Sequence, residues 1–137
     1  MRHPDWQNRL LQAVEEARPL PHRWGQNDCG LFALMRCFEA VTGERSPIAD
    51  LAGTYFDEDT AQTLLRELGV EDVEGLAALH LPRHEGPQLA RRGDIGVVQW
   101  TGGKTLVVVL GPVCAAPGDV CLSFLKRSHL IASFMVG

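Results

Sequence analysis

No apolar stretch in this 137-residue sequence is long enough to cross a bilayer. Runs such as Leu106 to Leu110 fall far short of the roughly 20 residues a spanning helix needs. A signal-peptide core is missing too, because Met1-Arg2-His3-Pro4-Asp5 leads directly into an amphipathic stretch. Basic character is lacking: the formal net charge is -4 and the Lys and Arg residues are dispersed, which argues against a nucleic-acid partner. The four cysteines, Cys29, Cys37, Cys114 and Cys121, form no C-x-x-C pair. Their spacing does not suggest a zinc or iron–sulfur centre, so they are read as free thiols, with Cys37 and Cys121 as small core residues. There is no repeat and no low-complexity tract. These absences predict a chain without membrane insertion, nucleic acid or cofactor, made in the cytosol or carried out of it within a larger assembly.

What is present suits one domain over residues 1–137. Hydrophobic residues make up 45% and charged residues 22%, ordinary values for a folded chain of this size. Trp6, Leu10, Ala13, Val14 and Ala17 recur at helical spacing behind Asp5, a candidate N-cap, and Pro19 and Pro21 end that helix. A second helix is expected from Asn27 or Asp28 to Gly43. Between Leu31 and Val41 only Arg36 and Glu39 are polar, so it should be central and buried. A short turn near Ile48 to Ala52, a helix capped by Asp57 or Asp59 with the stripe Ala61, Leu64, Leu65 and Leu68, and a further turn over Val73 to Leu79 complete the helical part.

A connection from about His80 to Arg92, broken by Pro82, Gly86 and Pro87, leads to a change of period after Gly93. Ile95 to Trp100 and Leu106 to Leu110 read as a hairpin joined across Thr101 to Lys104. Val113 to Ala116 and Val120 to Leu125 read as a second pair, and about Leu130 to Val136 as a last strand. Helices first and strands second predict an α+β fold, with N-terminal helices packed on a C-terminal antiparallel sheet of about five strands.

One segment carries chemistry. His22-Arg23-Trp24-Gly25-Gln26-Asn27-Asp28-Cys29-Gly30-Leu31-Phe32 places a cysteine in the first turn of a helix, where free N–H groups and the macrodipole favour a thiolate. Helix and composition alone are equally satisfied by a buried, inert thiol. Asp28 is explained as a helix cap, Trp24 as a packed aromatic, Gly25 as a tight turn, and Gly93-Asp94 as a turn leading into the first strand.

Trp24-Gly25-x-x-Asp28-Cys29-Gly30-Leu31-Phe32 resembles the Y-x-W-G-G…D-C-S-G-L motif of NlpC-type cell-wall peptidases, which have a papain-like fold. The whole chain is similar to small phage-encoded proteins of that superfamily. It shares with them Asp5-Trp6-x-x-Arg9-Leu10, Trp24-Gly25-x-x-Asp28-Cys29, Thr42-Gly43, Arg92-Gly93-Asp94 and Ala115-Ala116-Pro117-Gly118, in order over nearly the full length. The resemblance implies a nucleophile at Cys29, a base histidine opening a strand of the type H-V-G-I-Y-L-G, and a polar orienting residue on the next strand. The matching stretches are Thr105 to Gly111 and Cys114 to Pro117, so Thr105 stands at the base position and Ala115 at the orienting position. The family tyrosine associated with the oxyanion site corresponds to His22.

A positioned base contributes about 10² to 10⁴ in rate, so its loss predicts a degenerate site. Of the five histidines, His22 is the best substitute, as base or oxyanion donor. His3 and His129 lie near the ends and His80 and His84 in the connection, and all five are otherwise read as solvated surface groups. The first expectation is therefore a phage or prophage tail protein, located in the virion after synthesis in the host cytoplasm. It would contact other tail-tip proteins and use a peptidase-like fold as a structural or binding module. The alternatives are an active hydrolase of peptidoglycan stem peptides with Cys29 as nucleophile, and a metal-binding tail protein.

Overall fold

The change of period at Gly93 divides the chain as its sequence predicts. A computed structural model describes residues 1–137 and has its helices before that point and a five-stranded antiparallel sheet after it. Helix α1, Trp6–Ala17, buries Leu10, Ala13, Val14 and Ala17. Asp5 holds the N-cap position, but its carboxylate accepts from the Asn8 side chain at 2.8 Å and caps no backbone N–H. Helix α2 runs over Leu31–Cys37 with π-type hydrogen bonding and continues without a break as α-helix over Phe38–Thr42. Its nearly all-apolar circumference explains why Leu31, Phe32, Ala33, Leu34, Cys37 and Val41 are all buried. Arg9 holds its far end, donating to the carbonyls of Ala40 at 2.7 Å and Glu39 at 3.0 Å, and Gly43 ends it with φ of +73°.

Helix α3, Glu58–Glu67, is capped by Asp57, whose side chain accepts from the Thr60 N–H at 2.8 Å. Helix α4, Val73–His80, is capped in the same way by Asp72 on Gly75. Strands β1 (Ile95–Trp100), β2 (Gly103–Val109), β3 (Val113–Pro117), β4 (Leu122–Lys126) and β5 (Leu130–Phe134) lie in the order β4-β3-β2-β1-β5. β2 begins three residues before the predicted Leu106. Gly103, at φ of +128°, pairs with Trp100 and lets the hairpin close over Thr101-Gly102 alone. β1 and β2 pair along their whole length, whereas β3 meets β2 only at Val108–Ala115 and Val109–Cys114. Beyond those pairs the two strands part.

Both faces of the sheet are covered, which is why its central strands read as continuous apolar runs. Ile95, Val97, Leu106, Val108, Ala115 and Phe134 join the helical residues in the main core, which draws side chains from Leu10 to Val136. Val98, Val107, Val109, Cys114, Ala116 and Leu130 form a second cluster on the opposite face, with Ala90 of the connection packed into it. Cys37 lies in the main core as expected, but Cys121 is exposed in the turn between β3 and β4 and is no core residue.

Asp94 fixes the end of the sheet where β1 starts. Its fully buried carboxylate accepts from Arg2 Nη2 at 2.9 Å, the Arg91 N–H at 2.8 Å and the Val136 N–H at 3.1 Å, and pairs with His84 Nε2 at 2.9 Å. A carboxylate only accepts, so His84 Nε2 carries the donated proton. His84 is thus a nearly buried structural partner and not the solvated group its sequence position suggests. Asp94→Ala would strand these donors and is expected to cost about 3–5 kcal/mol. Urea unfolding of the variant beside the parent measures it; a loss near zero would show that the cluster contributes nothing.

Candidate functional site

A cleft of about 820 Å³ opens between the helices and the diverging ends of β2 and β3. Cys29 lines it, together with His22, Trp24, Tyr55, Lys104 and Thr105, and with apolar side chains that include Ile48, Leu51, Leu65 and Leu68. The loop that ends at Asp28 delivers the cysteine to the first helical turn, which runs on into α2. Arg23 and Asn27 exchange backbone hydrogen bonds around Gly25, which sits at φ of +76° and donates its N–H to Asp28 Oδ2 at 2.9 Å. A Cβ on Gly25 would come within 2.0 Å of the Tyr55 carbonyl oxygen, so the loop and the Tyr55 segment meet only because residue 25 is glycine.

Asp28 is buried and organises this end of the helix. Its Oδ1 accepts from the Leu31 N–H at 3.0 Å, capping α2, and its Oδ2 also accepts from the Tyr55 hydroxyl. Burial, reinforced by that negative charge, pushes the Tyr55 hydroxyl well above its ordinary pKa. Tyr55 escaped the sequence reading because it lies 27 residues from its partner, in a segment whose pattern signals only turns.

The Cys29 thiol is pushed up to about 11, chiefly by burial and further by the Asp28 carboxylate. The Leu106, Gly30 and Cys29 backbone amides oppose this shift without overcoming it. The helix N-terminus expected to favour a thiolate is therefore outweighed by desolvation. The Leu106 amide is available because β3 has parted from β2 at that level.

No histidine hydrogen-bonds Cys29. His22 shares the cleft, but its ring meets Trp24 edge-on, with centroids 4.7 Å apart and planes at 85°. Trp24 is more exposed than a packed aromatic would be. His84 is engaged with Asp94 beside Val109, at the opposite end of β2 from Gly103. His80 and His129 are exposed, and His3 accepts from the Asp5 N–H through Nδ1.

Thr105 does line the cleft, but strand alternation puts its side chain on the face of Val107 and Val109, away from α2. Lys104, with Leu106 and Val108, faces the helices instead, where its ammonium sits 3.0 Å from Asp72 and 3.1 Å from Glu74. Ala115 is buried opposite Val108 in the main core and does not reach the cleft, which its neighbour Ala116 does line. No three His, Cys, Asp or Glu side chains come together in a metal-holding arrangement. No helix is long and apolar enough to cross a membrane.

Two measurements follow from the thiols. Because the thiolate is the nucleophile, alkylation of Cys29 by iodoacetamide should lag behind that of exposed Cys121 and keep accelerating to about pH 11, with no plateau near neutrality. Mass spectrometry of timed samples reads both sites. Cys37, fully buried where Cys29 is only partly so, is pushed up to about 12. Unfolded thiols ionise near about 8.5, so the contribution of these two groups to stability is whole below that value and is lost as pH rises through 11. The urea midpoint should hold steady from about pH 7 to pH 8 and then fall as pH climbs.

Comparison with curated proteins and with solved structures finds no match. The family model described as a domain of unknown function, DUF6950, matches residues 1–136, and the chain therefore belongs to the DUF6950 family.

Proposed function

We propose that this chain is a structural or binding module of a phage or prophage tail, built on an NlpC-type, papain-like fold and working without hydrolysis. The observation that carries the non-hydrolytic part is the state of Cys29. No imidazole hydrogen-bonds its sulfur although the residue lines a cleft, and burial and the Asp28 carboxylate push the thiol up to about 11. General-base help is what turns such a thiol into a nucleophile at neutral pH. The order of helices and strands and the position of Cys29 in the helical turn that opens α2 are compatible with the peptidase-like resemblance. Placement in a tail rests on the similarity of the sequence motifs to phage proteins.

The same motifs have structural work on this reading. Arg9 caps α2, Thr42 and Gly43 end it, Gly25 and Asp28 start it, and Asp94 ties the sheet to both chain ends. Their retention needs no catalytic role.

An active-hydrolase reading has one feature in its favour, that His22 and Cys29 line a common cleft. The two readings part in a single experiment. Phage particles assembled with the Cys29→Ala chain in place of the parent should form tails and infect at undiminished titre, and the purified parent protein should release no stem-peptide fragments from peptidoglycan. A collapse of titre with a Cys29→Ala chain that still folds, or fragments released by the parent alone, would establish the hydrolase. Tails that assemble normally without the protein and never contain it would remove the tail assignment.

A further inference from the structure

The cleft holds an open sheet edge, and we infer that it binds an extended, basic segment of a partner protein by strand addition to β2. This rests on the binding-module reading and names the occupant. β2 is paired with β1 from Gly103 to Val109, but β3 borders it only at Val108 and Val109. The N–H of Val109 and its carbonyl both bond towards the β1 side, and the Leu110 N–H bonds to Val113, so even-numbered residues of β2 direct their main-chain groups towards β3. At Lys104 no strand lies there to receive them, and at Leu106 the Cys29 sulfur is the neighbour. The Lys104 main-chain groups are therefore an unpaired stretch of sheet edge at the partly open end of β2, a template for another strand of the kind natural folds usually shield.

Shape and charge agree on what would lie along it. Gly103, Lys104 and Thr105 form one wall of the cleft, and the end of β3, held to the His22 segment by the Gly118 carbonyl, forms the other. Trp24 and Trp100, 37% and 43% exposed, both stand on this cleft, the type of side chain that dominates protein–protein contact energy. Leu51, Leu65 and Leu68 offer an apolar recess for alternate side chains of an added strand. The charge is acidic: Glu58 and Asp119 are exposed on the cleft with no cationic partner, while the cleft's lysine, Lys104, is already neutralised by Asp72 and Glu74. An occupant alternating apolar and basic residues satisfies the edge, the recess and the charge together.

The probe is an acetylated, amidated octapeptide alternating leucine and lysine, titrated into the full chain and followed by tryptophan fluorescence. Trp24 and Trp100 report on the cleft, and Trp6 lies elsewhere, beneath Arg2. Saturable binding is expected, roughly tenfold weaker when glutamate replaces lysine. In an added strand all leucine N–H groups point to one edge and all lysine N–H groups to the other. N-methylation of one set should therefore abolish binding while N-methylation of the other leaves it intact. No fluorescence change with any peptide, equal tolerance or equal loss for the two methylated sets, or binding of a peptidoglycan stem tetrapeptide in place of the leucine–lysine peptide would each overturn the inference. None of these outcomes bears on whether Cys29→Ala phage assemble, so failure here is separable from failure of the binding-module reading.

Discussion

A carboxylate taken out of water must find donors for its lone pairs, and the site takes its form from how Asp28 does so. Its three donors come from three places: the Gly25 turn, the first turn of α2 and the Tyr55 segment. Satisfying one side chain therefore fixes the loop, the helix start and one bank of the cleft at once. The same negative charge works with burial against ionisation of the adjacent thiol. The group that positions Cys29 thus also disfavours its thiolate, and a positive partner would be needed to reverse that balance.

Asp94 applies the same physics at the other end of β2. It gathers donors from Arg2, His84, Arg91 and Val136, and Arg2 also reaches the carbonyls of Arg92 and Val136 and lies over the Trp6 ring at 4.3 Å. Two buried carboxylates, one on the cleft and one at the Val109 end of β2, thus organise a part of the molecule that is left open and a part that is tied shut. Between them the second half of β2, Leu106 to Val109, is buried on both faces, while Gly103 to Thr105 stay partly open at the cleft.

Local pattern was enough for much of this. The stripe of α1, the largely apolar turns of α2, the caps at Asp28 and Asp57, and the glycines that end α2 and shape the Gly25 turn each depend on near neighbours, and each stands as the sequence indicates. The features that decide chemistry depend on residues far apart in the chain. Cys29 reads as an activated thiol from its helix position, but the strand that packs on it, through Leu106, comes 77 residues later, so desolvation was invisible. His84 reads as a loop residue until Asp94 is seen to close on it. Lys104 was hidden in what reads as a hairpin loop because the turn needs only Thr101 and Gly102. The parting of β2 and β3 leaves no mark in either strand's own pattern.

The bridge from Arg2 to Val136 has a topological consequence. Gly137 lies close enough to Arg2 that a side chain added there would meet the Arg2 Cγ at 2.7 Å, so the first and last described residues are neighbours in space. They share the Asp94 pole, a strand's length from the cleft. Anything joined to either end would approach from the Asp94 side, and closely spaced ends of this kind are what lets a domain be spliced into a longer polypeptide, or cut and rejoined in permuted order, with the cleft unobstructed.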